Sequence, residues 1–119
     1  MKNLIVALVF LSTFNSAVFA RGASFTENEC YELVSHAQAI RSMRSIGVSY
    51  QATVNTLADL ISDGEIPVKF APKVFSFAEY IYTKGHIIDK TFGKYDNNGP
   101  NDRRFMAGML KYCRERRAE

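Results

Sequence analysis

The chain has 119 residues, with fifteen Lys and Arg against twelve Asp and Glu and a net charge of +3. That length allows one domain, and so small an excess of positive charge does not by itself imply nucleic acid as a partner. A domain of this size has a modest core and often needs a covalent staple.

The first segment has the order of parts of a secretory signal peptide. Lys2 supplies a short positive start, Leu4 to Leu11 is an unbroken apolar run, and Val18-Phe19-Ala20 is a small-x-small cleavage pattern. A membrane-spanning helix needs roughly 20 consecutive apolar residues, and Ser12, Thr13, Asn15 and Ser16 interrupt this run early. No cysteine lies beside the cut to carry a lipid. The expectation is therefore cleavage after Ala20, leaving residues 21–119 as a single helical domain that is periplasmic or secreted and carries no transmembrane anchor. Without Lys2, fourteen basic and twelve acidic residues leave +2, and export argues further against a nucleic-acid partner.

In an oxidising compartment two cysteines, and only two, most often pair, the alternatives being free or intermolecular thiols and a reactive thiol. Cys30 stands near the start of the expected mature chain and Cys113 near its end. A disulfide closing so long a loop is worth about 4.5 kcal/mol in the chain-entropy treatment, usually an upper figure. His36 and His86 fall in no metal-ligand spacing with either cysteine, so no metal or other cofactor is expected, and both histidines read as surface or core residues.

The elements follow in order. Phe25-Thr26-Glu27-Asn28-Glu29-Cys30 is a helix start, in which Thr26 and Glu29 have capping-box spacing and Phe25 suits a hydrophobic staple. Cys30, Leu33, Val34, Ala37 and Ile40 then recur at helical spacing until Gly47. Ser49 is a cap for a second helix with the stripe Tyr50, Val54, Leu57, Ala58 and Ile61, ending at Asp63-Gly64. Pro67 marks the connection, and Pro72 suits the first turn of a third helix. The run Val74 to Tyr82 alternates in part as a strand would. With no second strand pattern to pair with it, a helix is the better reading, continuing past Gly85 through Ile87, Ile88 and Phe92. Gly93 to Pro100 is a polar loop. A last helix begins near Asn101 or Asp102 and carries Phe105, Met106, Met109, Leu110 and Cys113 on one side. The fold class expected is all-α, a bundle of four to five helices whose first and last members are joined by the disulfide.

Four features are candidate sites. Asp96-Asn97-Asn98-Gly99 is not a calcium loop: aligning Gly99 with the loop glycine puts Lys94 and Phe105 at ligand positions, so it reads as a turn. Arg103, Arg104, Lys111 and Arg114 share one arc of the last helix, extended by Arg116 and Arg117, either as a solvated face or as a dock for anionic lipid, the acidic groups of peptidoglycan or an acidic protein partner. Arg41 and Arg44 fall on the apolar side of the first helix, which suggests a buried ion pair with Asp59, Asp63 or Glu79, or else a ligand anion. Phe75, Phe77, Tyr80 and Tyr82 cover so much of the third helix that they form either a partner surface or the centre of the bundle.

No GxSxG, HExxH, glycine-rich phosphate loop or zinc spacing is present. The layout of Glu29-Cys30, then Arg44-Ser45-Ile46-Gly47-Val48-Ser49, Ile81-Tyr82 and Tyr112-Cys113-Arg114 resembles a diffuse set of small exported helical proteins of Gram-negative bacteria and their phages. That resemblance implies an exported, disulfide-containing helical protein, and it carries no catalytic residues across. In architecture alone the chain is similar to periplasmic acid-stress chaperones and to the helical immunity proteins that neutralise cell-wall amidases, though it has no motif of either. The function expected is a non-enzymatic module that binds another envelope or secreted protein, as an inhibitor or immunity-type protein. A periplasmic acid-stress chaperone and a small cell-wall hydrolase are the alternatives.

Overall fold

A computed structural model describes residues 25–117, with side chains to residue 115. The expected signal peptide, residues 1–20, and the side chains of Arg116 and Arg117 lie outside the described residues. Among the described residues there are five α-helices and one 3₁₀ turn, in the order α1 (Glu27–Ser45), α2 (Tyr50–Ser62), the turn Val68–Phe70, α3 (Ala71–Thr83), α4 (Gly85–Phe92) and α5 (Pro100–Arg117). There is no strand among the described residues, and Cys30 on α1 is bonded to Cys113 on α5 with 5.8 Å between their Cα atoms. The fold is thus an all-α bundle with its first and last helices joined.

α1 starts where its capping box does. The Glu29 N–H donates to Thr26 Oγ1 at 3.2 Å and the Thr26 N–H donates to Glu29 Oε1 at 2.9 Å, satisfying two of the donors that a helix start leaves open. Ahead of the cap, Phe25 turns inward and meets the edge of Phe70 at 5.5 Å between ring centres. The buried face of α1 is Cys30, Leu33, Val34, Ala37, Ile40 and Arg41. α3 and α5 both pack on this helix, α2 packs chiefly on α3, and α4 bridges α3 and α5.

α2 is capped by Ser49, whose Oγ accepts the Ala52 N–H at 3.1 Å. Its inward face is rotated from the one the sequence pattern suggests: Thr53 and Leu57 are buried, while Tyr50 and Ala58 are exposed. A hydrogen bond explains the difference. Thr53 Oγ1 lies 2.7 Å from the Tyr82 hydroxyl, which donates to the Val48 carbonyl at 2.7 Å, so the threonine is buried with its polar atom satisfied.

The segment from Val74 to Tyr82 is helical, with Val74, Phe77, Ala78 and Ile81 inward. It does not run on through Gly85. α3 ends at Thr83 and a new helix starts at Gly85, where the Arg44 guanidinium occupies the space that a Cβ would fill. Glycine there leaves room for the Arg44 side chain beside α4. The last helix begins at Pro100, slightly earlier than the polar loop suggests, and proline suits this first helical position. Phe105 is fully buried, and Met106, Met109, Leu110 and Cys113 pack against the core as their spacing indicates.

Candidate binding groove

The groove follows from how α3 and α5 share α1. They lie on it side by side without packing closely on each other, and the strip between them is open. It is a pocket of about 380 Å³. α3 contributes Lys73, Ser76, Phe77 and Tyr80, and α5 contributes Phe105, Gly108, Met109 and Tyr112, with Phe92 of α4 completing the wall. Both sets have the i, i+3, i+4, i+7 spacing of a single helix face. Gly108 has a specific part: the edge of the Phe92 ring lies where a Cβ would come within 3.1 Å, so the ring rests on the bare helix backbone. Phe92 also meets Phe105 edge to face at 5.8 Å.

The wall is held from behind by a buried polar cluster. Arg41 Nη1 donates to Asp102 Oδ1 at 3.0 Å, and Gln38 Nε2 donates to Asp102 Oδ2 at 2.9 Å. Asp102 also accepts the backbone N–H groups of Asp96 at 3.1 Å and Asn98 at 2.6 Å. Arg41 Nη2 donates to the Gly93 carbonyl and reaches Asp89 at 3.5 Å, and its guanidinium sits 4.8 Å from the centre of the Phe105 ring. In return Asp96 caps α5, accepting the N–H groups of Asn101 at 2.8 Å and Asp102 at 3.0 Å. Burial alone would raise the Asp96 pKa, but these backbone donors outweigh it and hold it below the ordinary value. Asn97 and Asn98 take positive φ, 54° and 70°, as turn asparagines do. The loop is a turn that anchors the start of α5.

The buried arginine is therefore explained by Asp102 and Asp89, and not by Asp59, Asp63 or Glu79. Arg44 is half-buried and lies 3.7 Å from Asp89. The helix-three aromatics divide. Phe77 is 8% exposed and belongs to the core, Phe75 packs against it, and Tyr82 is tied to Thr53 and Val48. Only Tyr80, 45% exposed, stands at the groove as surface. A helix in the middle of the bundle needs its aromatic face for packing, so of these four only Phe77 and Tyr80 line the groove.

The basic arc of α5 is also largely committed to the chain itself. Arg103 donates to the Asn98 carbonyl at 3.1 Å, and Arg104 donates to the Phe92 carbonyl at 3.2 Å and to Asn101. Arg114 holds Glu27 through two nitrogens and reaches the Tyr31 hydroxyl at 3.1 Å. Lys111 is exposed. The pairing with Glu27 keeps Arg114 protonated still more firmly than usual. His36 meets Phe70 edge to face at 6.2 Å between ring centres, and burial lowers its pKa despite Glu32 nearby; His86 is exposed. Among the described residues no group of three His, Cys, Asp or Glu side chains could hold a metal ion, and no helix is long and apolar enough to cross a membrane.

Four groove residues carry no site signal in the sequence: Lys73, Ser76, Gly108 and Tyr112 are recognisable only once α3 and α5 are known to be neighbours. No protein-family model, curated protein or solved structure matches the chain.

Proposed function

We propose that the chain is a small exported binding module, not an enzyme, which engages another envelope or secreted protein through the groove between α3 and α5. The groove itself carries this reading. Its lining is five aromatic rings, a methionine, a glycine, a serine and a lysine, a set suited to burying an apolar group of a partner rather than to pairing a nucleophile with a base. Tyr80 and Tyr112, 45% and 43% exposed, stand at its rim, and tyrosine is favoured where one side of a ring is buried on binding. The disulfide supports export, because such bonds persist in oxidising compartments, and the order of parts in residues 1–20 supports a signal peptide. The test is capture of a partner from the native envelope with the oxidised protein. Replacing Tyr80 and Tyr112 by alanine should abolish capture while the melting temperature stays within a few degrees. Unchanged capture would remove the groove from the mechanism.

A second reading, acid-triggered opening in a stress chaperone, is favoured by one observation. The carboxylate that ties α1, α5 and the intervening loop together is fully buried against Arg41. About pH 2–3, below the ordinary carboxylate range, is where a bundle tied by charged carboxylates loosens. A fluorescent dye for apolar surface should bind there if this is the function, and a compact, dye-free protein at that pH would dismiss it.

A further inference from the structure

The groove has a polarity that specifies more than an apolar occupant. At one end the Lys73 ammonium lies over the Tyr112 ring, 5.8 Å from its centre, with Ser76 one turn along α3. The other end lies one helix span away, where Tyr80 follows Lys73 by seven residues and Phe105 precedes Tyr112 by seven, about 10 Å at the rise of an α-helix. There the lining is purely aromatic, with Phe92 edge to face against Phe105 and Phe77 between the helices. Lys73 is the only charged side chain in the lining, and no lining residue is acidic. It is also half-buried, and among the described residues it pairs with no carboxylate, whereas Lys69, Arg41, Arg44 and Arg114 each have one.

A cation at one end of an apolar trough is matched by an anion on an apolar chain of similar length. We infer that the groove binds a medium-chain fatty acid, its carboxylate on Lys73 and its chain laid over Phe77 towards Phe92 and Phe105. The size agrees: about 380 Å³ is at the lower end of the usual range for small-ligand clefts. This rests on the groove being the binding surface of the protein, and it adds that a fatty acid and a protein partner exclude each other there.

The experiment is calorimetric titration of the oxidised protein with decanoate, decan-1-ol and decyltrimethylammonium, each below its aggregation limit. Decanoate should bind most tightly and the cation most weakly. Lys73→Met keeps the apolar stem and removes the charge, and it should weaken decanoate about five- to tenfold while leaving decanol unchanged, the scale of a partly exposed ion pair. Ser76→Trp should block all three ligands by filling the trough, with Lys73→Met remaining decisive if that variant does not fold. Equal affinities for decanoate and decanol, or no change in decanoate with Lys73→Met, would overturn the inference. So would the absence of any decanoate binding. If capture of the protein partner still depends on Tyr80 and Tyr112 in that case, the inference fails and the groove reading stands; if capture ignores those tyrosines, the groove reading fails on its own.

Discussion

Arg41 and Asp102, 61 positions apart in sequence, meet in the centre of the protein as a fully buried ion pair with 3.0 Å between Nη1 and Oδ1. Each is 2% exposed or less. Such a pair contributes little beyond what two well-packed apolar residues would, but removing one partner strands the other. Asp102→Ala should therefore cost about 3–5 kcal/mol, read by denaturant unfolding. Arg41→Met combined with Asp102→Asn should be less damaging than the two single losses together, by at least about 1 kcal/mol. Strict additivity would mean that the pair does not act as a unit.

The disulfide fastens the end of α5 that the ion pair does not reach. With the cysteines 83 positions apart, Cys30→Ser with Cys113→Ser should lower stability by about 2–5 kcal/mol. Thermal unfolding of the oxidised and double-serine proteins at one pH measures this. Because Tyr112 neighbours Cys113, binding at the groove should weaken as well.

Gly93 ends α4 at φ +96° and ψ 161°, a backbone region open essentially to glycine alone. A Cβ there would also collide with the Asn101 side chain, and the Gly93 carbonyl receives Arg41. Gly93→Ala should cost about 1–3 kcal/mol. A change below about 0.5 kcal/mol would contradict the loop geometry.

Stability should depend on pH in two separate windows. Burial lowers the His36 pKa from 6.5, so the unfolded chain takes up the proton first as pH falls. The corresponding stability is complete above about pH 6.5 and drains away as pH drops through the lower, folded value. His36→Phe should keep the ring contact with Phe70 and abolish this slope. Glu29 is held low chiefly by the Thr26 N–H and then by Lys69, and Asp96 is also lowered. Their contribution is present above ordinary carboxylate values and is lost below about pH 4. Glu29→Gln with Asp96→Asn should flatten that lower limb in urea titrations across pH 2–5.

What the sequence made legible was local. The cap at Thr26 and Glu29, the stops at Gly47 and Gly64, and the core stripe of α5 depend on neighbours within a few residues. The disulfide was legible for another reason, since two cysteines leave one pairing. Contacts between distant segments were not legible. Asp102 reads as part of a helix start, so nothing in its surroundings announces Arg41 as its partner, and nothing near Gly85 announces that the Arg44 guanidinium fills the space beside it. The same holds for Thr53, whose burial depends on the Tyr82 hydroxyl. The groove is the furthest from the sequence, because it is the space left between two helices that each pack on a third.

The proposal that the groove is the working surface has one direct test: photo-crosslinking in the native envelope. A benzoylphenylalanine introduced as Tyr80→benzoylphenylalanine should give a discrete protein adduct. The same group at Ile46, exposed on the far end of α1, should give none. An adduct from position 46 with silence at position 80 would contradict it.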